Sequence, residues 1–365
     1  DTVVARVVER LDPEAVIDST GCEMVQAAGG QQNFSLEANR CLTYSSGSVK
    51  FVEGITLKVS ERPDRKGLEV TGTEALVNDA ENDVTVNGDV HLTVSDGLSV
   101  QTGTLNYGTK RGMVTMEDET RNTTLTRSGL EASGRSVLYD RDQSVVNLRE
   151  AATVRLKDDG ARAAVDISST RATLAHADRY MDFTGGVEVT TGSMVLQSES
   201  TTAVFGEEET SLQRLELFGN ARIYSTVPSS GGFREMHATK MTLGFEETAR
   251  VLDRASLSEK STIELFGPRN GPGARIDAET IDLTFSPVGG GLTALVAGGG
   301  IYTELINDNV TLLLPLKKSI ILKAINNLKI SKLLKGYRGK PKGDIEAIVQ
   351  TIMKLGTFVE KNVTR

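Results

Sequence analysis

Tryptophan is missing from this 365-residue sequence, and aromatic residues of all kinds supply only 5% of it. So thin a supply suits a long array of short strands and turns better than a compact enzyme built around an aromatic pocket. Histidine occurs three times, at His91, His176 and His237, each isolated. No paired spacing of a zinc site and no nucleophile elbow accompanies them. The three read as solvated strand positions, and no catalytic residue, metal or cofactor is expected. Long apolar runs are missing too: nothing is long enough to span a bilayer. The opening Asp1-Thr2-Val3-Val4 has no initiator methionine and no basic segment leading into an apolar run, so any export signal or anchor is expected to have been removed or to lie outside this sequence. Before residue 300 there is no run of helical periodicity.

Cysteine is limited to Cys22 and Cys41, placed symmetrically about a turn at Ala28-Gly29-Gly30-Gln31-Gln32-Asn33. If the flanking segments pair as a hairpin, the sulfurs come opposite one another. A disulfide there would contribute about 3 kcal/mol in the chain-entropy picture and imply an oxidising compartment; two free buried thiols are the alternative.

The net charge of −8 conceals two unlike parts. Residues 1–299 hold 29 Lys and Arg against 44 Asp and Glu, whereas residues 300–365 hold 12 against 5. The first part prefers Arg and the tail prefers Lys and Ile, which places a compositional junction near Gly298–Gly300, read as the join of a chimera; a basic appendage on an acidic protein is the alternative. Acidic runs such as Glu117-Asp118-Glu119 and Glu207-Glu208-Glu209 read as turn residues.

What the chain has in quantity is alternation with a hitch. At Ile276 and Ala278 apolar or small residues fall on even positions, and at Ile281, Leu283 and Phe285 on odd ones. In a plain strand that slip would turn the second half to the other face; a bulge lets both halves face one interior. The unit recurs at Leu36/Ala38 with Leu42/Tyr44, Val70/Gly72 with Ala75/Val77, Val100/Thr102 with Leu105/Tyr107, and Leu130/Ala132 with Val137/Tyr139. It returns at Val165/Ile167 with Ala172/Leu174, Leu196/Ser198 with Ala203/Phe205, and Met236/Ala238 with Met241/Leu243. The copies start 30 to 40 residues apart, and the first alone keeps its parity. Between them lie strands that alternate without slipping and carry a central glycine: Val84 to Val94 around Gly88, Met181 to Val189 around Gly185, and Leu215 to Ile223 around Gly219. Their other face carries Thr85, Asp89, Thr93, Glu188, Glu216 and Arg222, as a sheet with one wet side requires.

An internal repeat of this kind predicts an all-β fold: a repetitive antiparallel β jelly roll, or β-taco, around an apolar groove, with a small α/β fragment at the C-terminus. The expected domains are 1–150 and 151–298, both β-repeat, and 299–365. Leu105, Tyr107, Leu130, Val137, Tyr139, Leu196, Phe205, Met241, Leu243, Ile281 and Phe285 are expected to line the groove. Burying acyl methylenes there yields about 0.8 kcal/mol each, so no catalytic group is required. The same side chains could instead pack on one another as core.

The pairing of Gly88-Asp89-Val90-His91-Leu92 with Leu98 to Tyr107 resembles the OstA-type domain of the lipopolysaccharide-transport (Lpt) periplasmic proteins, the LptA/LptC family. Gly185-Gly186-Val187 leading to Leu196–Phe205, and Gly219-Asn220-Ala221 leading to Met236–Leu243, resemble it too. Over residues 1–298 the resemblance implies a V-shaped jelly roll that holds the acyl chains of lipopolysaccharide while the sugar stays outside. It also implies copies or other Lpt proteins stacking edge to edge across the periplasm, and the anchor member of the family has an N-terminal membrane helix. The tail resembles part of the ATP-grasp domain of ADP-forming acyl-CoA synthetases, with Glu304 at a position that helps hold the nucleotide metal. One acidic residue does not make a magnesium site, so Glu304 is read as a strand residue and no ligase activity is expected. In the tail, Gly299–Glu304 and Asn309–Leu316 read as strands, Lys317–Leu328 as a helix, and Asp344 as the cap of a second helix. The basic tail could attract anions, but with Tyr302, Tyr337 and Phe358 as its aromatics no nucleic-acid partner is expected. The competing functional readings are an acyl-CoA synthetase fragment and a purely structural β-solenoid.

Overall fold

The computed structural model describes residues 12–323 apart from 29–30, 64, 79–82, 110–111, 119–121, 159, 161–163, 208–210, 228–232, 247–250, 267–272, 287–291, 308–309 and 317–319. The described residues fold as strands joined by short turns, in two units. One runs to Lys157 and takes in Ala164–Gly185 and Glu207–Thr210; the other is Asp158–Ala163, Gly186–Gly206 and Ser211 onward.

The first unit holds β1 (Ala15–Ala28), β2 (Gln31–Tyr44), β3 (Val49–Val59), β4 (Leu68–Asn78), β5 (Asp83–Val94), β6 (Ser99–Gly108) and β7 (Met113–Glu117). It continues through β8 (Thr123–Arg127), β9 (Leu130–Gly134), β10 (Ser136–Asp140), β11 (Val145–Leu148), β12 (Ala152–Leu156), β13 (Val165–Ser169) and β14 (Arg171–Ala175). Strand β15 (Tyr180–Thr191) passes from one unit into the other at Gly185. The second unit continues with β16 (Met194–Phe205), β17 (Leu212–Ser225), β18 (Phe233–Glu246), β19 (Val251–Leu265), β20 (Gly273–Phe285), β21 (Leu292–Gly298), β22 (Ile301–Asn307), β23 (Val310–Leu316) and β24 (Ile320–Lys323). Paired strands run antiparallel, as in β4–β5, β5–β6, β16–β17 and β18–β19.

Every repeat bends at a corner, and the two kinds of strand bend differently. In β16, β18 and β20 two residues separate the last buried position of one arm from the first of the next: Glu199-Ser200, Thr239-Lys240 and Glu279-Thr280. In β15, β17 and β19 three do so: Thr184-Gly185-Gly186, Phe218-Gly219-Asn220 and Ser258-Glu259-Lys260. Two outward residues reverse the parity and three preserve it. The strands read as straight are therefore bent as well. The unequal counts appear as a register shift in each ladder, for instance between Phe218 and Ala221 opposite Lys240 and Ala238. The third residue fits because the backbone turns left-handed, at Gly88 (φ 76°) and Asp89 (φ 47°) in β5, and at Gly219 (φ 72°) and Asn220 (φ 47°) in β17. Glycine and asparagine tolerate that region best. Corner carbonyls that leave the ladder find hydroxyl donors: Thr73 Oγ1 donates to Gly88 O at 2.9 Å and Thr170 Oγ1 to Gly185 O at 2.6 Å.

The tail corrects one expectation. Ile320–Lys323, inside the segment read as a helix over Lys317–Leu328, is a strand that pairs with β21 from Ala294↔Lys323 to Ala297↔Ile320. A β-branched Ile-Ile pair beside an open sheet edge gains ladder hydrogen bonds there, which outweighs weak helical periodicity. The helix expected from Asp344 lies outside the described residues, while Ile301–Asn307 and Val310–Leu316 pair as a hairpin.

Candidate functional site

Each unit builds its interior from rows that cross the ladder. In the first, Leu36, Leu57, Val70, Leu92, Val100, Leu125, Ala132, Val154 and Ile167 follow one another strand by strand. On the other arm Ala75, Val86, Leu105, Met116, Val137, Leu148, Ala172 and Phe183 do the same. In the second unit one row runs Thr201, Leu217, Met241, Leu257, Ile281 and Ala297. Successive members stand one strand spacing apart, about 4.8 Å, so each row is a continuous stripe, apolar except for Thr201 at the start of the second-unit row.

The eleven residues expected to line a groove all lie on these interior faces. Leu105, Tyr107, Leu130, Val137 and Tyr139 belong to the first unit, and Leu196, Phe205, Met241, Leu243, Ile281 and Phe285 to the second. None is more than 9% exposed. They pack against one another and the intervening strands; Phe285, for example, meets Phe233 edge to face with ring centroids 6.0 Å apart. Most outward positions are polar, Leu76, Phe218 and Val296 being exceptions, and they carry cross-strand ion pairs, including Arg155–Asp166 at 2.6 Å and Arg222–Glu235 at 2.7 Å. Such exposed pairs contribute little to stability. His91, His176 and His237 are exposed.

Cys22 and Cys41 are joined as a disulfide with Cα atoms 6.0 Å apart. They are not opposite in register: Cys22 faces Ala38 and Cys41 faces Ser19. The corner between them, where Gly21 adopts φ 68°, brings the staggered pair together.

The polar end of the first interior was not legible in the residue pattern. Arg141 sits in the turn between β10 and β11 yet is only 2% exposed. Its guanidinium donates to the carbonyls of Ser60 and Lys66 and lies 3.5 Å from the Tyr107 hydroxyl. Asp140 Oδ1 accepts from the backbone N–H of Asp142 and Gln143 and so fixes the turn. Arg65, on the loop between β3 and β4, grips Asp142 with Nε at 2.9 Å and Nη2 at 3.0 Å. Arg127 and Asp96 pair nearby, both largely buried. Burial pushes the Tyr139 hydroxyl up to about 12, with the Asp96 carboxylate adding to the effect. Burial also raises Tyr107, against the lowering influence of Arg141. A charged residue in a turn normally reads as solvated, so only the fold reveals Arg141 as buried. Asp118, read as a turn residue, is also buried, with its carboxylate 2.6 Å from where a Cβ on Gly103 would stand.

Comparison with known families bears on this architecture. Residues 12–157 match the family described as lipopolysaccharide-assembly, LptC-related, and residues 166–269 match the LptA/(LptD N-terminal domain) LPS transport protein family. Both are lipopolysaccharide-transport domains. The LptC-related segment coincides with strands β1 to β12, and the LptA-like segment begins with β13 and ends after β19. Residues 282–363 match an ATP-grasp domain. Over that region the chain is 34% identical to the acetate–CoA ligase [ADP-forming] of Methanocaldococcus jannaschii across 70 residues, 19% of this chain and 10% of the relative. It is 37% identical across 71 residues to acetate–CoA ligase [ADP-forming] II of Archaeoglobus fulgidus, 20% of this chain and again 10% of the relative. The chain thus spans about a tenth of the length of these curated relatives. The ATP-grasp match begins within β20, upstream of the compositional junction near Gly298.

Proposed function

We propose that this protein is a periplasmic carrier of lipopolysaccharide that takes the lipid's acyl chains between the two arms of its bent strands and passes them on without chemistry. The observation that carries the reading is the coincidence of the two transport-family segments with uninterrupted apolar rows. Domain lengths of 1–150 and 151–298 would each supply a stretch of groove, with 299–365 appended by fusion. The arms are closed on each other here, so a lipid enters by parting them. Each methylene taken up gains about 0.8 kcal/mol, against the side-chain contacts it replaces. Partners of the same family, or further copies, would add at the open strand edges.

A photo-crosslinking side chain at Tyr107 or Phe205 is expected to capture lipopolysaccharide, while the same group at Glu216, on the outer face, is not. Equal capture at the inner and outer positions, or none at either inner one, would overturn the reading.

The ATP-grasp match favours a second reading, an ADP-forming acyl-CoA ligase. An assay for thioester formation from acetate, ATP and CoA tests it, and we expect no product.

A further inference from the structure

We infer that a pocket at the polar end of the first unit is a phosphate site. This rests on the carrier reading for its biological occupant: a phosphorylated sugar headgroup would sit in the pocket while its acyl chains enter the interior directly beneath.

The pocket has a volume of about 410 Å³ and lies against the loop between β3 and β4, lined chiefly by Arg62, Arg65, Lys66 and Arg141 with Glu61 and Ser144. Its charge opposes that of its surroundings. The first 299 residues carry 15 more acidic than basic side chains, whereas the pocket gathers four cations, with Glu61 in the lining and Asp142 on Arg65 as the described carboxylates facing them. Arg141 is the decisive group. At 2% exposure its charge is out of water, and its partners are two backbone carbonyls and a tyrosine hydroxyl. Those acceptors satisfy donors without cancelling charge. Among the described residues no carboxylate forms an ion pair with it. A buried cation left in that condition is costly, and an arriving anion removes the cost.

The pocket is also built before any ligand arrives. The Asp140 carboxylate holds the turn that carries Arg141, and the Arg65–Asp142 fork ties that turn to the opposite loop. The side chains of Arg62 and Lys66, by contrast, form no ion pair among the described residues, which leaves them to close over an anion. A planar guanidinium with a neighbouring ammonium is the donor set suited to phosphate oxygens. Directly below, Arg141 meets the Tyr107 hydroxyl, and the Tyr107 ring belongs to the apolar row with Val84, Val114 and Tyr139. One layer of side chains therefore separates the charged pocket from the oily interior, the spacing an amphiphile with a phosphorylated head requires.

The test uses the full chain, the Arg62→Ala/Lys66→Ala variant and three probes: lipid A bearing its phosphates, the same lipid with them removed, and inorganic pyrophosphate. Both substituted side chains lie outside the Arg141 and Arg65 bonds, so circular dichroism should not change. The unsubstituted protein is expected to bind the phosphorylated lipid roughly tenfold or more tightly than the stripped one, and the double variant to lose that preference while binding the stripped lipid as before. Equal binding of the two lipids by the unsubstituted protein, or a preference that survives the double substitution, overturns the pocket and leaves the carrier reading standing. Pyrophosphate binding that the variant abolishes, with neither lipid bound, keeps the phosphate site and sinks the carrier. No binding of any probe sinks both.

Discussion

Tyr139 shows how one residue's burial becomes a property of the whole fold. Its hydroxyl ionises near 10 in the unfolded chain and at about 12 in the folded one. The folded state therefore keeps a proton that the unfolded state has lost, so the stabilisation is complete below pH 10 and disappears as the pH climbs through 12. The size of that loss is on the order of 2 kcal/mol. Guanidinium unfolding at pH 8, 10 and 11.5 should show a steeper alkaline decline for the native sequence than for Tyr139→Phe; parallel declines would contradict the assignment. At Leu105, fully buried in the middle of an apolar row, Leu105→Ala should cost about 2–5 kcal/mol. Val16→Ala, on an exposed residue of β1, should stay within about 0.5 kcal/mol. Chemical denaturation decides both. The inward placement of Leu105 was legible from alternation, whereas the outward placement of an apolar residue such as Val16 was not. Nor was Arg141, because nothing in an Asp-Arg-Asp-Gln turn distinguishes a buried cation from a solvated one.

At the scale of elements the corner is the unit of construction, and glycine there serves both conformation and packing. In the hairpin turn between β5 and β6, by contrast, a Cβ on Gly97 meets nothing within 4 Å, so Gly97→Ala, at φ 89°, should cost about 1 kcal/mol for left-handed backbone alone. At Gly88, φ 76°, the added Cβ would lie 2.6 Å from Thr73 Oγ1 and 2.8 Å from Thr73 Cβ. Gly88→Ala should therefore cost about 2–3 kcal/mol. The clash is with Thr73 itself, so Thr73→Ala should make the glycine substitution less costly, and a double-mutant cycle reads that coupling directly. Additive costs would show that the corner relaxes some other way. The hitch in the sequence announced the bend in β6, β16, β18 and β20, but the bend in β5 and β17 was hidden. Three outward residues preserve parity, and Gly88 and Gly219 fit the inward alternation when read as letters. The same corner explains why Cys22 and Cys41 are staggered across the hairpin instead of directly opposed. Removing the bridge with Cys22→Ala/Cys41→Ala should lower stability by about 3 kcal/mol, and thiol titration of the unreduced, denatured protein should find no reactive thiol.

For the whole molecule the open question is how the tail is held. Composition marks a junction near Gly298, and by that measure the tail is foreign. The ladder crosses the junction regardless: Gly273–Asp277 of β20 pair with β22, and Ala294–Ala297 of β21 pair with β24. Backbone hydrogen bonds do not depend on the side-chain bias that made the two parts look unlike, which is why charge counting located the change in composition but missed the continuity of the sheet. A chain ending at Gly298 would leave both of those strand segments with unpaired N–H and C=O groups at an edge. The truncated protein should therefore keep its strand content by circular dichroism but expose β20 and β21 to protease earlier than the full chain does, with cleavage of the segment up to Lys157 unchanged. It should also associate through the new edge at high concentration, read as a concentration-dependent elution volume. If the truncated and full chains are cut at the same rate between Gly273 and Gly298, the tail strands contribute no protection and the pairing of β22 with β20 and of β24 with β21 is not populated in solution.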